Sequence, residues 1–178
     1  AAAAESSGSD GSQTFSTPGT HTFNVPANYG TLTVEVWGGG GGGSSWHSDF
    51  PGAVGGASRF GSNIVAGGGG GGVGRRGSEG CNMGGVGGIA SGGDVNIPGE
   101  LGGINQGSVN ACGVGGSAPM TGILGQYQEL VGDGGNGEDS GAFFYDDIGG
   151  GGGSGAYTKK TFQTGALSAS TDITIMVG

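Results

Sequence analysis

The stretch Leu32-Thr33-Val34-Glu35-Val36-Trp37 runs directly into six glycines, Gly38 to Gly43. Its apolar and polar residues alternate, which is the pattern of a β-strand with one buried face. The same join recurs where Ile64-Val65-Ala66 meets Gly67 to Gly72, and a third glycine run extends from Gly149 to Gly153. A join that repeats predicts that the three runs share one structural role.

Consecutive glycines need a special arrangement, because glycine loses the most conformational freedom on folding and buries no side chain. Extended helices of the polyproline II type supply one, since their amides bond to neighbouring helices and glycine lets the backbones approach closely. We therefore expect the glycine-rich middle to pack as polyglycine II-type helices, although composition alone favours a flexible linker. The structural positions include the ends of the runs, Gly38, Gly43, Gly67, Gly72, Gly149 and Gly153.

Length and charge limit the possible classes of protein. The chain has 178 residues, enough for one domain, and 51 of them are glycine, so the side-chain core is expected to be small. The net charge of −9 repels the phosphates of nucleic acids and anionic lipid headgroups. No apolar run has the roughly 20 residues that a membrane helix needs. We expect neither a nucleic-acid partner nor membrane insertion.

Strand patterns lie mostly near the two ends of the chain. Phe23 and Val25 share a face, as do Leu32, Val34 and Val36, whereas Glu35 is expected to turn outward. We predict an all-β fold, a small β-sandwich-like sheet in which N- and C-terminal strands pair, with no substantial α-helix. The predicted strands cover 13–16, 20–25, 31–37, 156–162 and 172–177, with short additional strands at 58–60 and 126–131.

Residues 1–12 are predicted to be an ordered tail that contacts another subunit or lies along the chain's own surface. Residues 13–178 are predicted to be a single glycine-rich β domain. Its middle part contains non-glycine inserts at the turns of the glycine scaffold, and these inserts cover 44–51, 75–83, 94–98, 104–112, 117–131 and 138–148.

Aromatic residues in the inserts are the candidate binding surface. Flat rings on loops give a large contact area with few torsions to restrict. The alternative is that they plug the scaffold, which we favour for Phe143 and Phe144, whereas Trp46 is the better contact. The loop candidates are Trp46, His47, Phe50, Tyr127, Phe143, Phe144 and Tyr145.

Other chemistry has weak support in the sequence. The two histidines, His21 and His47, have no partner pattern for catalysis, so we expect no enzyme activity and no cofactor. Cys81 and Cys112 are the only cysteines and form a possible disulfide, although two free thiols remain the alternative. Residues 134–139 match part of a calcium-binding nonapeptide, which makes Asp139 a weak candidate in a chain with no predicted metal site.

The segment from Thr22 to Trp37 with its six following glycines resembles the opening of the glycine-rich domains in bacteriophage tail-fibre proteins. The segments 55–61, 66–72, 153–157 and 173–178 continue the resemblance in the same order. The glycine-rich middle is also similar in style to tail-fibre tip adhesins of T-even-type phages, in which loops on a sandwich of polyglycine helices bind the host.

This resemblance implies a virion or extracellular protein that binds a bacterial cell-surface receptor, with no catalytic residues. We therefore expect a tail-fibre or adhesin module, with other virion fibre subunits as partners and a homo-oligomeric or polymeric assembly. The alternative is a structural subunit of a virion fibre or of an extracellular filament.

Overall fold

The computed structural model describes residues 2–6, 11–44, 51–73, 83–103, 133–136 and 149–178. Within these ranges the fold is all-β, without a helix, and therefore without a helix that could span a membrane. The strands are β1 (Ala2–Ser6), β2 (Gly11–Phe15), β3 (Gly19–Asn24), β4 (Thr31–Trp37), β5 (Ser58–Phe60), β6 (Ile64–Ala66), β7 (Ala90–Ser91), β8 (Val95–Ile97), β9 (Tyr157–Gln163) and β10 (Asp172–Val177).

The strands form two five-stranded antiparallel sheets. Sheet 1 has the order β2-β1-β4-β9-β8, and sheet 2 has the order β3-β10-β5-β6-β7. The β4–β9 ladder is the longest in sheet 1 and runs from Thr31 opposite Gln163 to Trp37 opposite Tyr157. In sheet 2, β3 pairs with β10 from Asn24 opposite Asp172 to Gly19 opposite Val177. Both long ladders join one end of the chain to the other.

One cluster of buried side chains draws on both sheets. Strand β4 contributes Leu32, Val34 and Val36, and the rings of Phe60 in β5 and Phe162 in β9 lie 6.1 Å apart. Full burial of an aliphatic side chain of this size contributes about 1.5 to 3 kcal/mol. The other members of the cluster are Phe15, Phe23, Val25, Tyr29, Ile64, Ala66, Ile175 and Val177.

The strand predictions for the two ends of the chain are confirmed, and the pairing between the ends is confirmed with them. Strands β4 and β10 have the predicted bounds, and β5 lies at the predicted 58–60. The structure differs in having two sheets, and the glycine-rich middle supplies β5 to β8. Residues 94–98 were expected to be an insert, but Val95–Ile97 is β8 because its backbone pairs with β9.

The N-terminal tail also contains regular structure. Ala2–Ser6 is β1, which lies between β2 and β4 and pairs with both. Its sequence is too short and too rich in alanine to signal a strand, so the ladder on each side determines its conformation. The contact of residues 1–12 with another subunit stays a prediction.

Candidate functional site

Six strands continue into glycine-rich segments at one end of the two sheets. Strands β4, β6 and β8 run into such segments, and β5, β7 and β9 follow them. A seventh described segment lies between two inserts. In chain order the segments are g1 (38–44), g2 (51–57), g3 (67–73), g4 (83–89), g5 (98–103), g6 (133–136) and g7 (149–156).

Where two strands are neighbours in a sheet, the segments attached to them are also hydrogen-bonded. Three backbone bonds of 2.8 to 3.0 Å join g1 to g7, as β4 joins β9. Three more, of 2.7 to 2.9 Å, join g3 to g4, as β6 joins β7. Further bonds join g2 to g3 and g5 to g7. The ladders of each sheet therefore extend into the glycine region.

Backbone hydrogen bonds also join the segments that continue sheet 1 to the segments that continue sheet 2. The strands of the two sheets are not bonded to each other in this way. Backbone bonds of 2.7 to 2.9 Å join g1 to g2 and g3, g7 to g3 and g4, and g4 to g5. Two stacked sheets lie about 10 Å apart because side chains fill the space between them. In the glycine segments, which carry few side chains, peptide groups of the two continuations bond directly. We call this assembly of g1 to g7 the glycine bundle.

The bonds in the glycine bundle recur at every third residue. The donors in g1 that bond to g7 have this spacing, and so do the donors in g3 that bond to g4. The bonds between the continuations of sheets 1 and 2 have the same spacing. A β-strand repeats every two residues, so a period of three is a different backbone repeat. The donors are Gly38, Gly41 and Ser44 for g1 to g7, and Gly67, Gly70 and Val73 for g3 to g4.

The predicted structural glycines are distributed along this bundle. Near the strands, Gly38 donates to the carbonyl of Ala156 and Gly67 to that of Ile89, each at 2.9 Å. Further along, Gly72 donates to Gly42 at 2.9 Å, while Gly153 donates to Gly70 at 2.9 Å. Gly149 is buried and Gly43 half-buried.

The end of the bundle opposite the strands has backbone bonds of its own. Ser44 donates to Gly150 there at 3.0 Å, and Val73 donates to Met83 at 2.8 Å. We call this end, marked by Ser44, Pro51, Val73, Met83, Gly103 and Gly149, the far end of the bundle.

Far-end residues adjoin four of the predicted inserts, 44–51, 75–83, 104–112 and 138–148, on at least one side. Residues 45–50 and 74–82 are flanked on both sides by far-end residues. Residues 104–132 follow Gly103, and residues 137–148 precede Gly149. All seven aromatic or histidine candidates belong to these ranges and lie outside the described residues, as do Cys81, Cys112 and Asp139. Their roles stay predictions.

A buried polar cluster lies at the join between sheet 1 and the bundle. Glu35 in β4 is only 1% exposed, so the prediction that it turns outward to solvent is wrong. Its side chain lies on the strand face opposite Val34 and Val36, where the Tyr157 hydroxyl donates to Oε1 at 2.5 Å and Lys159 Nζ lies 3.6 Å away. The ring of Trp37 packs against that of Tyr157 at a tilt of 53°, with ring centroids 5.2 Å apart.

Alternation alone could not distinguish a solvated Glu35 from a buried one, because both occupy the same face of a strand. The signal that could have found it is the register, which places Lys159 directly opposite Glu35 in an antiparallel ladder. The cluster fixes β9 against β4 where both strands meet glycine.

Strand β8 is held to β9 by a second ion pair. Asp94 accepts from Lys160 Nζ at 2.5 Å and from the Thr161 amide at 2.8 Å. The hydrogen bond from Lys160, followed by that from Thr161, lowers the pKa of Asp94 below its ordinary value. Nearer the start of β9, Thr158 donates to Asn96 of β8 at 2.8 Å.

Within the residues that the structure describes, no group of three His, Cys, Asp or Glu side chains could hold a metal ion. Comparison of the chain with protein-family models, with curated proteins and with solved structures finds no match. The arrangement of the chain itself must therefore carry any proposal about function.

Proposed function

We propose that this chain is a binding module of the bacteriophage tail-fibre or adhesin type, which presents its inserts to a bacterial cell-surface receptor. The observation that carries the proposal is the position of Ser44, Pro51, Val73, Met83, Gly103 and Gly149, which adjoin predicted inserts and lie together at the far end of the glycine bundle. Segments that start from one end of a rigid support can form a single contact surface, as loops do in many binding proteins.

The proposal includes the nature of the support: the glycine segments are polyglycine II-type helices that continue a β-sandwich formed by sheets 1 and 2. The period of three in the backbone bonds supports this, because such helices have three residues per turn. The shared core of the two sheets supports the sandwich.

Segment g4 supports the same geometry from its side chains. Met83, Val86 and Ile89 recur at every third position and are all exposed. A Cβ on Gly84 would overlap Gly102 of g5, and one on Gly85 would overlap Gly70 of g3. A helix with three residues per turn explains why one position in three faces solvent and two face neighbouring backbones.

The test is binding of the labelled chain to a panel of intact bacteria. Replacing Trp46 and Tyr127 together by Ala is expected to reduce binding by about 2 kcal/mol or more, because truncated aromatic anchors cost that much. The melting temperature should stay near that of the parent, since the bundle bonds through its backbone.

The matched control replaces two exposed apolar residues away from the far end, Ile89 and Val95, by Ala. These variants are expected to bind as the parent does. Binding by the Trp46/Tyr127 double variant equal to that of the parent would contradict the role of these residues. A parent that binds no strain of the panel would contradict receptor binding.

A second candidate is a structural subunit of a virion fibre or an extracellular filament. The observation that favours it is that the edge strands β2 and β3 contain no Asp, Glu, Lys or Arg. Electron microscopy of the concentrated chain distinguishes the two functions, because only a filament subunit would assemble into fibres without a receptor.

A further inference from the structure

Residues 90–97 connect the two sheets at one edge, and we call this segment the strap. Its first strand, β7, is the edge strand of sheet 2, and its second strand, β8, is the edge strand of sheet 1. Short edge strands are one way in which proteins protect a sheet from pairing with another chain. The strap therefore covers the edges of β6 and β9.

The strap is attached to the two sheets by few strand pairs. Two residues of β7 pair with β6, and three residues of β8 pair with β9. The β4–β9 ladder has seven such pairs, and the β3–β10 ladder has six. A segment with few backbone bonds can open without the rest of the fold, at a lower free energy than global unfolding.

Burial of apolar side chains adds little to the stability of the strap. None of its residues is buried, and Val95 is 44% exposed. Ile97 packs against the small cluster of Trp37 and Tyr157, and no strap residue belongs to the larger cluster that draws on both sheets. Because hydrophobic burial is the main favourable contribution to folding, polar contacts must supply most of what holds the strap closed.

Asp94 connects the strap to β9 through both its backbone and its side chain. Its amide donates to the carbonyl of Lys159 at 2.7 Å. Its carboxylate accepts from Lys160 Nζ at 2.5 Å and from the Thr161 amide at 2.8 Å. One side chain in the middle of the strap therefore makes two bonds to sheet 1.

Among the strands that pair with the strap, β9 supplies the charges near Asp94. Lys160 contacts its carboxylate, whereas the ammonium group of Lys159 lies 3.6 Å from Glu35 of β4. Strands β6 and β7 contain no charged residue. The bonds from Lys160 and Thr161 lower the pKa of Asp94, so the bonded form of this side chain is the charged one. Protonation in acid removes that charge.

We propose that the strap is an acid-sensitive closure of the sheet edges: it opens as a unit while both sheets and the glycine bundle stay folded, and loss of the Asp94 charge favours the open form. Gly99 donates to Gly88 at 2.9 Å, which joins the segments on either side of the strap and confines the opening to the residues between them. Opening leaves β6 and β9 as sheet edges, and fully buried Thr158 loses its bond to Asn96. The proposal does not depend on receptor binding at the far end.

The test is hydrogen exchange of backbone amides in the full chain, measured by NMR and corrected for intrinsic exchange rates. The Asp94 amide reports on the strap. The amide of fully buried Val25, which donates to Thr171 at 2.9 Å, reports on the sheets, and that of Gly41, which donates to Gly153 at 2.8 Å, reports on the bundle. We expect the Asp94 amide to exchange through an opening of lower free energy and weaker denaturant dependence than the other two, because that opening exposes little surface.

Asp94→Asn should increase the opening constant of the strap about two- to fivefold near neutral pH, which corresponds to the contribution of an exposed ion pair. In the parent, the opening constant should rise as pH falls through the folded-state pKa of Asp94, since the stabilising contribution of a lowered carboxyl pKa is lost there. Asp94→Asn has no charge to lose, so its opening constant should not show this rise.

Asp172→Asn is the matched control. This exposed carboxylate accepts from Asn24 at 2.9 Å in sheet 2, and its removal should leave the strap unchanged. An Asp94 amide that exchanges with the same free energy and denaturant dependence as Val25 would mean that the strap opens only with the whole fold. An unprotected Asp94 amide would mean that the strap has no closed form. These two results would overturn the proposal, and so would equal opening in the parent and in Asp94→Asn, or an equal effect of Asp172→Asn.

Discussion

The peptide groups of Gly41 and Gly70 lie so close together that a Cβ atom on Gly41 would overlap the carbonyl group of Gly70. Gly41 belongs to the continuation of sheet 1 and Gly70 to that of sheet 2. Gly41 also donates to Gly153 at 2.8 Å, and Gly70 accepts from the same residue at 2.9 Å. The glycines of the bundle are therefore required by contact between backbones, and they do not act as flexible connections.

Gly41→Ala is expected to destabilise the fold by about 3 kcal/mol, because backbone has to move to admit one methyl group. For a chain of this size that corresponds to a fall of about 6 to 12 °C in melting temperature. Calorimetry or thermal circular dichroism measures it.

The neighbouring residue supplies the control for this substitution. A Cβ on Gly42 would have the Ala53 amide nitrogen as its nearest neighbour, at 3.2 Å, so Gly42→Ala requires a shift of only a few tenths of an ångström. We expect a change within about 1 kcal/mol. Equal melting temperatures for the two variants would contradict close packing of the bundle.

Tyr157→Phe removes the hydroxyl that donates to buried Glu35, and we expect a loss of about 1.5 to 3 kcal/mol in the free energy of unfolding. Lys159→Met should cost less than about 1 kcal/mol, because that ion pair is longer, at 3.6 Å, and its lysine is 38% exposed. Denaturant unfolding of both variants makes the comparison. A larger loss for Lys159→Met would show that the ion pair holds Glu35.

Asp94 gives the chain a dependence of stability on pH in the acid range. Its pKa is lowered in the folded state, so its stabilising contribution is complete above the pKa of the unfolded chain and is lost as pH falls through the folded pKa. Asp94→Asn should therefore be less stable than the parent near neutral pH, and the difference should disappear in acid. Lys160→Met should raise the Asp94 pKa, measured by NMR titration, towards its ordinary value.

Ser154→Ala tests a side chain within the glycine bundle. The hydroxyl of Ser154 is fully buried and accepts from the Glu100 amide at 2.7 Å, which joins g7 to g5. Removing this acceptor is expected to cost about 1 to 3 kcal/mol. Ser16→Ala, at an exposed position, should change stability by less than about 0.5 kcal/mol. A neutral Ser154→Ala, measured by thermal unfolding, would mean that the backbone bonds alone hold g5.

The longer strands could be predicted from the sequence because their apolar and polar side chains alternate. The alternation in Ile173, Ile175 and Val177 predicts β10 with its bounds, and β4 is equally clear. Strands β1, β7 and β8 have two to five residues and little alternation, so their pairing partners determine them. Burial of Glu35 was missed because its partners, Tyr157 and Lys159, are far away along the chain.

The order of the glycine segments could not be deduced from the sequence, because glycine has no side chain to identify its neighbour. A run such as Gly67 to Gly72 bonds to g1, g2, g4 and g7 at once, and nothing in six identical residues distinguishes these partners. The pairing of the strands at one end of the bundle determines which glycine segments become neighbours. Pairing of β4 with β9 and of β6 with β7 brings the correct segments together.

The recurrence of backbone bonds at every third residue restricts how such a scaffold can change in length. Adding or deleting three glycines in one segment shifts it by a full repeat and leaves every remaining amide directed at the same neighbour. In the proposed helices of three residues per turn, one added residue rotates each later amide by about a third of a revolution and two added residues by about two thirds, in both cases towards a different neighbour. In the gene, only insertions and deletions of nine bases, or multiples of nine, would preserve the pattern of contacts as well as the reading frame.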